Sequence, residues 1–279
     1  MTTATATAPT TTAAPARPAY KVTWLRVLRS EWTKFWSVRS SPITLVTALF
    51  LLVGIGAIAS LTFDPAAAPG GNDGPPITDG AISLALMGTI FASLAIGVLG
   101  VLVSAGEYST GMIRATLAAV PKRLPTSWAK TAVFGVVATI VTAAGALGAF
   151  LLGAAILDGE AIAMSLGDDG VLRVLAGTGI YLGLVGMWGV ALGALLRSSA
   201  GGIAVLVGML LIVPGLSSLL PASIADNVTP YLPSNAGQAV THLNQAADSL
   251  GPWTGVAVFA GWVAVTLVAA AYRLARRDA

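Results

Sequence analysis

Apolar residues in this chain do not alternate with polar ones; they run in long blocks separated by short polar stretches. Six blocks, at about residues 43–63, 81–105, 131–157, 174–196, 199–220 and 253–272, contain no Asp, Glu, Lys, Arg or His. A bilayer core about 30 Å thick needs roughly 20 helical residues at about 1.5 Å rise each. Each block is therefore predicted as a membrane-crossing α-helix. Strands are a poor alternative, because runs of about ten alternating apolar and polar residues are absent. Pro214-Gly215 should kink or end the fifth helix. The expected fold class is an all-α membrane protein with six transmembrane helices.

A further helix of different character precedes them. Residues 22–39 gather Trp24, Leu25, Leu28, Trp32, Phe35 and Trp36 on one arc, with Arg26, Arg29, Ser30, Thr33, Lys34 and Ser37 opposite. Trp at the apolar boundary with Arg and Lys on the wet side suits an amphipathic helix lying in the headgroup plane. Trp24, Arg26, Arg29, Trp32, Lys34 and Trp36 are its expected interfacial anchors. It either fixes topology or acts as an elbow that passes a partner's movement into the first span; the residues leave both readings open.

The loops sort by charge, and this orients the spans. Arg17, Lys21, Arg26, Arg29, Lys34 and Arg39 precede the first span; Arg114, Lys122, Arg123 and Lys130 follow the second; Arg197 follows the fourth; Arg273, Arg276 and Arg277 close the chain. Alternate loops thus hold 14 of the 15 basic residues. The intervening loops carry Asp64, Asp73 and Asp79, then Asp158, Glu160, Asp168 and Asp169 with the remaining Arg173, then Asp226 and Asp248. The positive-inside rule places both termini and residues 106–130 in the cytoplasm. Residues 1–20, rich in Thr, Ala and Pro, read as a disordered cytoplasmic tail without the apolar core of a signal peptide. In the outer loops His242 is expected to be solvated, and Asp168-Asp169 could pair locally with Arg173.

Composition then narrows the chemistry. Charged residues make up 10% of the 279 positions, against about 25% in a soluble domain. With no Cys and one His, disulfides, thiolate metal sites, cysteine nucleophiles and His-based metal clusters are excluded, and no metal site or catalytic constellation is expected. No Lys follows a Gly, so the chain carries no phosphate-binding loop. Nucleic acid is not an expected partner, because the basic residues are sorted by loop rather than gathered in a patch. Small residues recur in the spans, with Gly179/Gly183 and Gly189/Gly193 forming GxxxG pairs expected to serve helix packing.

Residues 106–130 mix charge, apolar anchors and helix formers and reach Pro121. Met112, Ile113 and Leu117 could dock into a cleft on a soluble partner while Glu107 and Arg114 set register. A solvated loop with Lys122 and Arg123 fixing topology is the other reading. Glu107 just past the second span, Gly111, Leu117-Ala118, Pro121 and Arg123, and Lys130 at the third span together resemble ABC-2-type transporter permeases. The stretches EYSTGMIRATLAAVPKRLP (residues 107–125), RVLRSEWTKFWSVRS (26–40) and TPYLPSNAGQAV (229–240) resemble the actinobacterial members in particular.

That resemblance covers residues 21–279 as one membrane domain and implies several expectations. Two permease copies, or a permease and a paralogue, would pair and sit on two ATP-binding subunits, which would bind the ATP and Mg²⁺; this chain would hold no cofactor. Residues 106–130 would be the coupling segment, with Glu107, Tyr108, Gly111, Met112, Ile113, Arg114 and Leu117 contacting the ATPase. Residues 221–252 would include short re-entrant helices. The expected function is the membrane subunit of an ATP-driven exporter of a hydrophobic or amphiphilic substrate, such as a lipid, antibiotic or peptide, in a bacterial cytoplasmic membrane. The alternative is a non-transporting membrane scaffold or immunity protein. A secondary transporter is disfavoured, because coupling ions need ionisable groups within the spans and these six blocks have none.

The predicted topology has a direct test, since the native chain has no Cys. Single Cys substitutions at Asn72 and Asn244 should react with an impermeant maleimide in intact cells, and one at Ser109 should not. Labelling at Ser109 would overturn the orientation.

Overall fold

The computed structural model describes residues 23–64, 79–109, 123–217, 219, 221–245 and 249–276. The expected N-terminal tail, and residues 110–122 of the coupling segment with Gly111, Met112, Ile113, Arg114 and Leu117, lie outside them. All regular structure among the described residues is helical: α1 (Trp24–Ser37), α2 (Ser40–Leu61), α3 (Gly80–Ala85), α4 (Thr89–Ser109), α5 (Arg123–Ile156), α6 (Val171–Leu196), α7 (Ser199–Val207), α8 (Val213–Ser217), α9 (Ala222–Val228), α10 (Pro233–Gln238) and α11 (Pro252–Arg276). Six helical stretches are long and apolar enough to cross a membrane. This is the architecture of a multi-pass membrane protein.

The boundaries differ from the sequence reading at three places, each with a physical cause. The second span is not one helix: α3 and α4 are separated by a turn at Leu86–Gly88, with Met87 N–H donating to Leu84 O at 3.1 Å and Thr89 N–H to Leu86 O at 2.9 Å. Gly88 at that turn lies against the backbone of Leu51 and Leu52, and Gly56 lies against Ala85, so α2 crosses where no Cβ would fit. The third helix begins at Arg123, inside the expected loop. The fifth span passes through a π-helical turn, Gly208–Ile212, just before Pro214. Proline lacks the N–H that would close the ordinary bond four residues back, and the π turn re-registers the ladder around that gap.

α6 runs through the centre and packs on α4, α5 and α11. In lipid, helices gain little from the hydrophobic effect against one another, so close approach and buried hydrogen bonds hold them together. Glycines supply the close approach. Gly179 faces Ala143 and Gly183 faces Thr139, both on α5, whereas Gly189 lies on the Gly97 carbonyl and Gly193 on the Val101 carbonyl, both on α4. The two GxxxG pairs thus serve two different neighbours. On a third side, Trp188 donates through Nε1 to Thr266 Oγ1 of α11 at 3.1 Å and meets the Phe259 ring edge-on.

Residues 221–245 fold back onto the bundle. Ser234, Ala236 and Val240 are fully buried; Gly237 rests on Tyr181 and Phe259, and the Ala236 carbonyl fills the space over Gly255. Trp262 Nε1 donates to Tyr231 O at 3.0 Å and Asn235 Nδ2 to Thr229 O at 2.9 Å, closing the turns around α10.

Overpacking a filled site costs about 1–3 kcal/mol. Gly189→Ala should destabilise the chain by about that much in equilibrium unfolding from detergent, because its methyl would meet a backbone carbonyl. Gly148→Ala, whose methyl would enter open space within α5, should instead stabilise the chain by about 0.5–1 kcal/mol through helix propensity.

Candidate functional site

The charged groups on the six span-length helices lie near helix ends, and four charges converge at the end that carries α1. α1 buries Val27, Glu31 and Phe35, one residue per turn, against the bundle. Phe35 meets the Phe134 ring of α5 edge-on at 5.7 Å. This stripe carries Glu31 inward beside the last turn of α4, where Glu107 sits, and the second turn of α5, where Lys130 sits. Lys130 Nζ lies 2.6 Å from Glu107 Oε2 and 3.9 Å from Glu31 Oε2. Lys34 Nζ lies 2.7 Å from Glu31 Oε1 and 3.6 Å from Glu107 Oε1. Lys130 also donates to the Val103 carbonyl at 3.3 Å. Two carboxylates and two ammonium groups thus form a neutral ring across three helices.

Burial decides how much this ring matters. The side chains of Glu31, Lys130 and Glu107 are 5%, 8% and 11% exposed, and that of Lys34 is 35% exposed. Surface ion pairs contribute little, but removing one partner of a buried pair leaves an uncompensated charge. At Lys34 burial works against the charge, yet the Glu31 hydrogen bond and the charges of Glu31 and Glu107 outweigh it and hold the pKa above the ordinary lysine value. The stabilisation from Lys34 is therefore fully present below the ordinary lysine pKa and is lost only as pH rises through the raised one.

Beside the ring, Tyr108 is half-buried with the Arg197 guanidinium 5.3 Å from its ring centroid. Arg197 takes a left-handed backbone conformation, φ 54°, that ends α6, and Ser198 Oγ then accepts from Gly201 N–H at 3.2 Å to start α7. Arg273 of α11 donates to Leu195 O. The same end of the bundle is thus tied from α1 through α4, α5 and α6 to α11.

Several expected site residues take other places. Glu107 is not on a free docking surface: its carboxylate is spent inside the ring. On α1, Phe35 leaves the expected apolar arc and turns into the bundle, while Trp24, Leu25, Trp32 and Trp36 stay exposed. Arg26 and Arg29 are exposed as well. Sequence reasoning did not single out Glu31. Its signal was the spacing Val27, Glu31, Phe35, which puts a carboxylate in the middle of a buried stripe.

At the opposite end Asp168 and Arg173, which could have paired locally, take other partners. Arg173 Nη2 instead donates to His242 O at 3.2 Å and Leu243 O at 3.0 Å. Asp168 accepts from Ser165 N–H at 2.8 Å and Ser165 Oγ at 2.9 Å, the backbone bond first and the hydroxyl second holding its pKa below the usual carboxylate value. His242 is more than half exposed, as expected of a solvated residue, but its Nδ1 lies 3.3 Å from Asp79 Oδ2. Asp79 Oδ1 also accepts from Asn244 N–H at 2.8 Å. Asp79, His242 and Asn244 border a cavity of about 800 Å³ with Asp226, Asn235 and Gln238. Among the described residues no three His, Asp or Glu side chains converge as a metal site would need.

Compared with protein-family models and with curated proteins, the chain matches none.

The ring is separable from packing by a double-mutant cycle. Lys130→Met should destabilise the chain by about 3–5 kcal/mol, the cost of orphaning a buried partner. Lys130→Met with Glu107→Met should be less destabilising than the sum of the two single variants, by an interaction energy of about 0.5–3 kcal/mol. Strict additivity in equilibrium unfolding would show that the pair is not coupled.

Proposed function

We propose that this chain is the membrane-spanning subunit of an ATP-driven exporter, with energy supplied by a separate ATP-binding subunit. The observation that supports the reading most is the charge ring. Glu107 and Lys130 flank residues 110–122, and their carboxylate and ammonium are paired with each other and with α1. A force applied to the intervening segment would reach the second span, the third span and α1 together. The absence of ionisable side chains from the middle of the six apolar blocks adds to this, because an ion gradient would have nothing to act on there.

In this reading the apolar residues Met112, Ile113 and Leu117 bind the ATPase, and Glu107 acts from within the ring rather than at the contact itself. Both termini and the ring face the cytoplasm of a bacterial cell. Two permease copies, or one copy and a paralogue, pair on two ATPase subunits. The spans are lined by Ala, Gly, Val, Leu and Met, which suits a hydrophobic or amphiphilic cargo.

The test is the double variant Met112→Ala with Ile113→Ala. Truncating a hot spot costs about 2 kcal/mol or more, so the variant should insert normally yet lose most ATPase co-purification, or hydrolyse ATP without transport. Lys122→Ala should have a smaller effect, since a single rim charge mainly tunes the association rate. A double variant with full transport and a wild-type, salt-resistant ATPase complex would sink the assignment of these residues as the ATPase contact and make α1 the better candidate.

A further inference from the structure

The charge ring forms one wall of a cleft that packing leaves unfilled. α1 turns back at Val38 and packs on α5 rather than along α2. The wedge between α1, α2, α4 and α5 holds a cavity of about 340 Å³. Glu31, Lys34, Glu107 and Lys130 make its charged limb, and Phe35, Leu99, Leu102, Val133 and Phe134 make its apolar limb. Leu102 is 41% exposed, so it stands where the cleft meets the outer face of α4. Both limbs lie at the level where the apolar span of α4 gives way to charge, the depth of a lipid headgroup.

The chemistry of the ring selects the occupant. Two carboxylates and two ammonium groups sum to zero, and an anionic headgroup would add an unbalanced charge to a half-buried site, which is costly. A zwitterionic headgroup would not. The tight pairs, at 2.7 and 2.6 Å, are joined by looser crosswise contacts of 3.6 and 3.9 Å. A phosphate beside Lys34 and Lys130, with an ammonium beside Glu31 and Glu107, would replace the loose contacts and leave the tight ones intact. A primary ammonium donates hydrogen bonds to carboxylates, and a quaternary one has no N–H to give. We propose that this cleft binds phosphatidylethanolamine from the leaflet at the α1 end, headgroup in the charge ring and acyl chains along Leu102 and Leu99. The inference concerns a resident lipid and does not depend on the chain being an exporter.

The purified full chain would be reconstituted in nanodiscs of equal parts phosphatidylethanolamine, phosphatidylcholine and phosphatidylglycerol, and its retained lipid identified by native mass spectrometry. Phosphatidylethanolamine should be retained over both others. Leu102→Trp fills the apolar limb without touching a charge, and Lys34→Ala removes one phosphate partner. Each should lower that retention about tenfold, the effect of losing one charge-assisted hydrogen bond or an equivalent contact. Val265→Ala, exposed on α11, should leave retention unchanged. Retention of phosphatidylglycerol or phosphatidylcholine as strongly as phosphatidylethanolamine would overturn the proposal, as would a Lys34→Ala or Leu102→Trp chain that keeps wild-type retention. Loss of ATPase coupling in the Met112/Ile113 variant would leave this result untouched, so the two readings fail separately.

Discussion

The backbone of α6 comes within contact distance of α4 along one side and of α5 along another, and the rest of the bundle is arranged around that fact. Helices in lipid cannot rely on water to push them together, so distance of approach decides which pairs are stable. Gly189 and Gly193 bring α6 onto α4, Gly179 and Gly183 bring it onto α5, and Gly186 leaves room for the Phe134 ring of α5. With two sides taken by bare backbone, the third side is free for large side chains. It carries Tyr181 and Trp188, both buried against Phe259 of α11. Trp188 then needs a partner for its N–H in a dry interior, and Thr266 provides it.

Small residues on one helix therefore decide where the aromatic residues of the others go. The same logic explains α10. Gly237 and Gly255 are the two positions where a short helix outside the six spans can reach Tyr181 and α11 without a methyl in the way. The segment between the fifth and sixth spans is thereby locked into the bundle rather than left over it.

Much of this was legible in the sequence, and what was missed has physical reasons. The six apolar blocks announce themselves because no charge interrupts roughly 20 residues. The α3–α4 turn leaves no such mark: Leu86, Met87 and Gly88 are as acceptable in a helix as in a turn, and only the crossing of α2 at Gly88 breaks it. The early start of α5 was hidden because Arg123 and Lys130 read as loop residues, and Lys130 is affordable inside a helix only because Glu107 and Glu31 neutralise it. Pro214 marks a disturbance in its helix, but proline alone does not say that a π turn will absorb it. For the site, the sequence marked Glu107 and Lys130 as neighbours of one segment. It could not show that they pair, since 22 intervening residues separate them.

The two ends of the bundle are fastened by different chemistry, and this sets what each can do. Away from α1, Arg173 holds the carbonyls of His242 and Leu243, and Asp79 holds the N–H of Asn244. A backbone partner moves only when its whole segment moves, so those bonds fix the position of residues 242–244 against α3 and α6. At the α1 end the partners are side chains, and each ammonium already faces two carboxylates. Lys34 could pass from Glu31 to Glu107 while Lys130 passes from Glu107 to Glu31. Each exchange shortens a contact now at 3.6 or 3.9 Å and lengthens one at 2.7 or 2.6 Å, and no charge is left alone at either stage. Single buried pairs cannot do this, since breaking one orphans two ions. A ring of four can yield by about an ångström without leaving a buried charge unpaired, whereas the backbone bonds at the far end give way only with their whole segment.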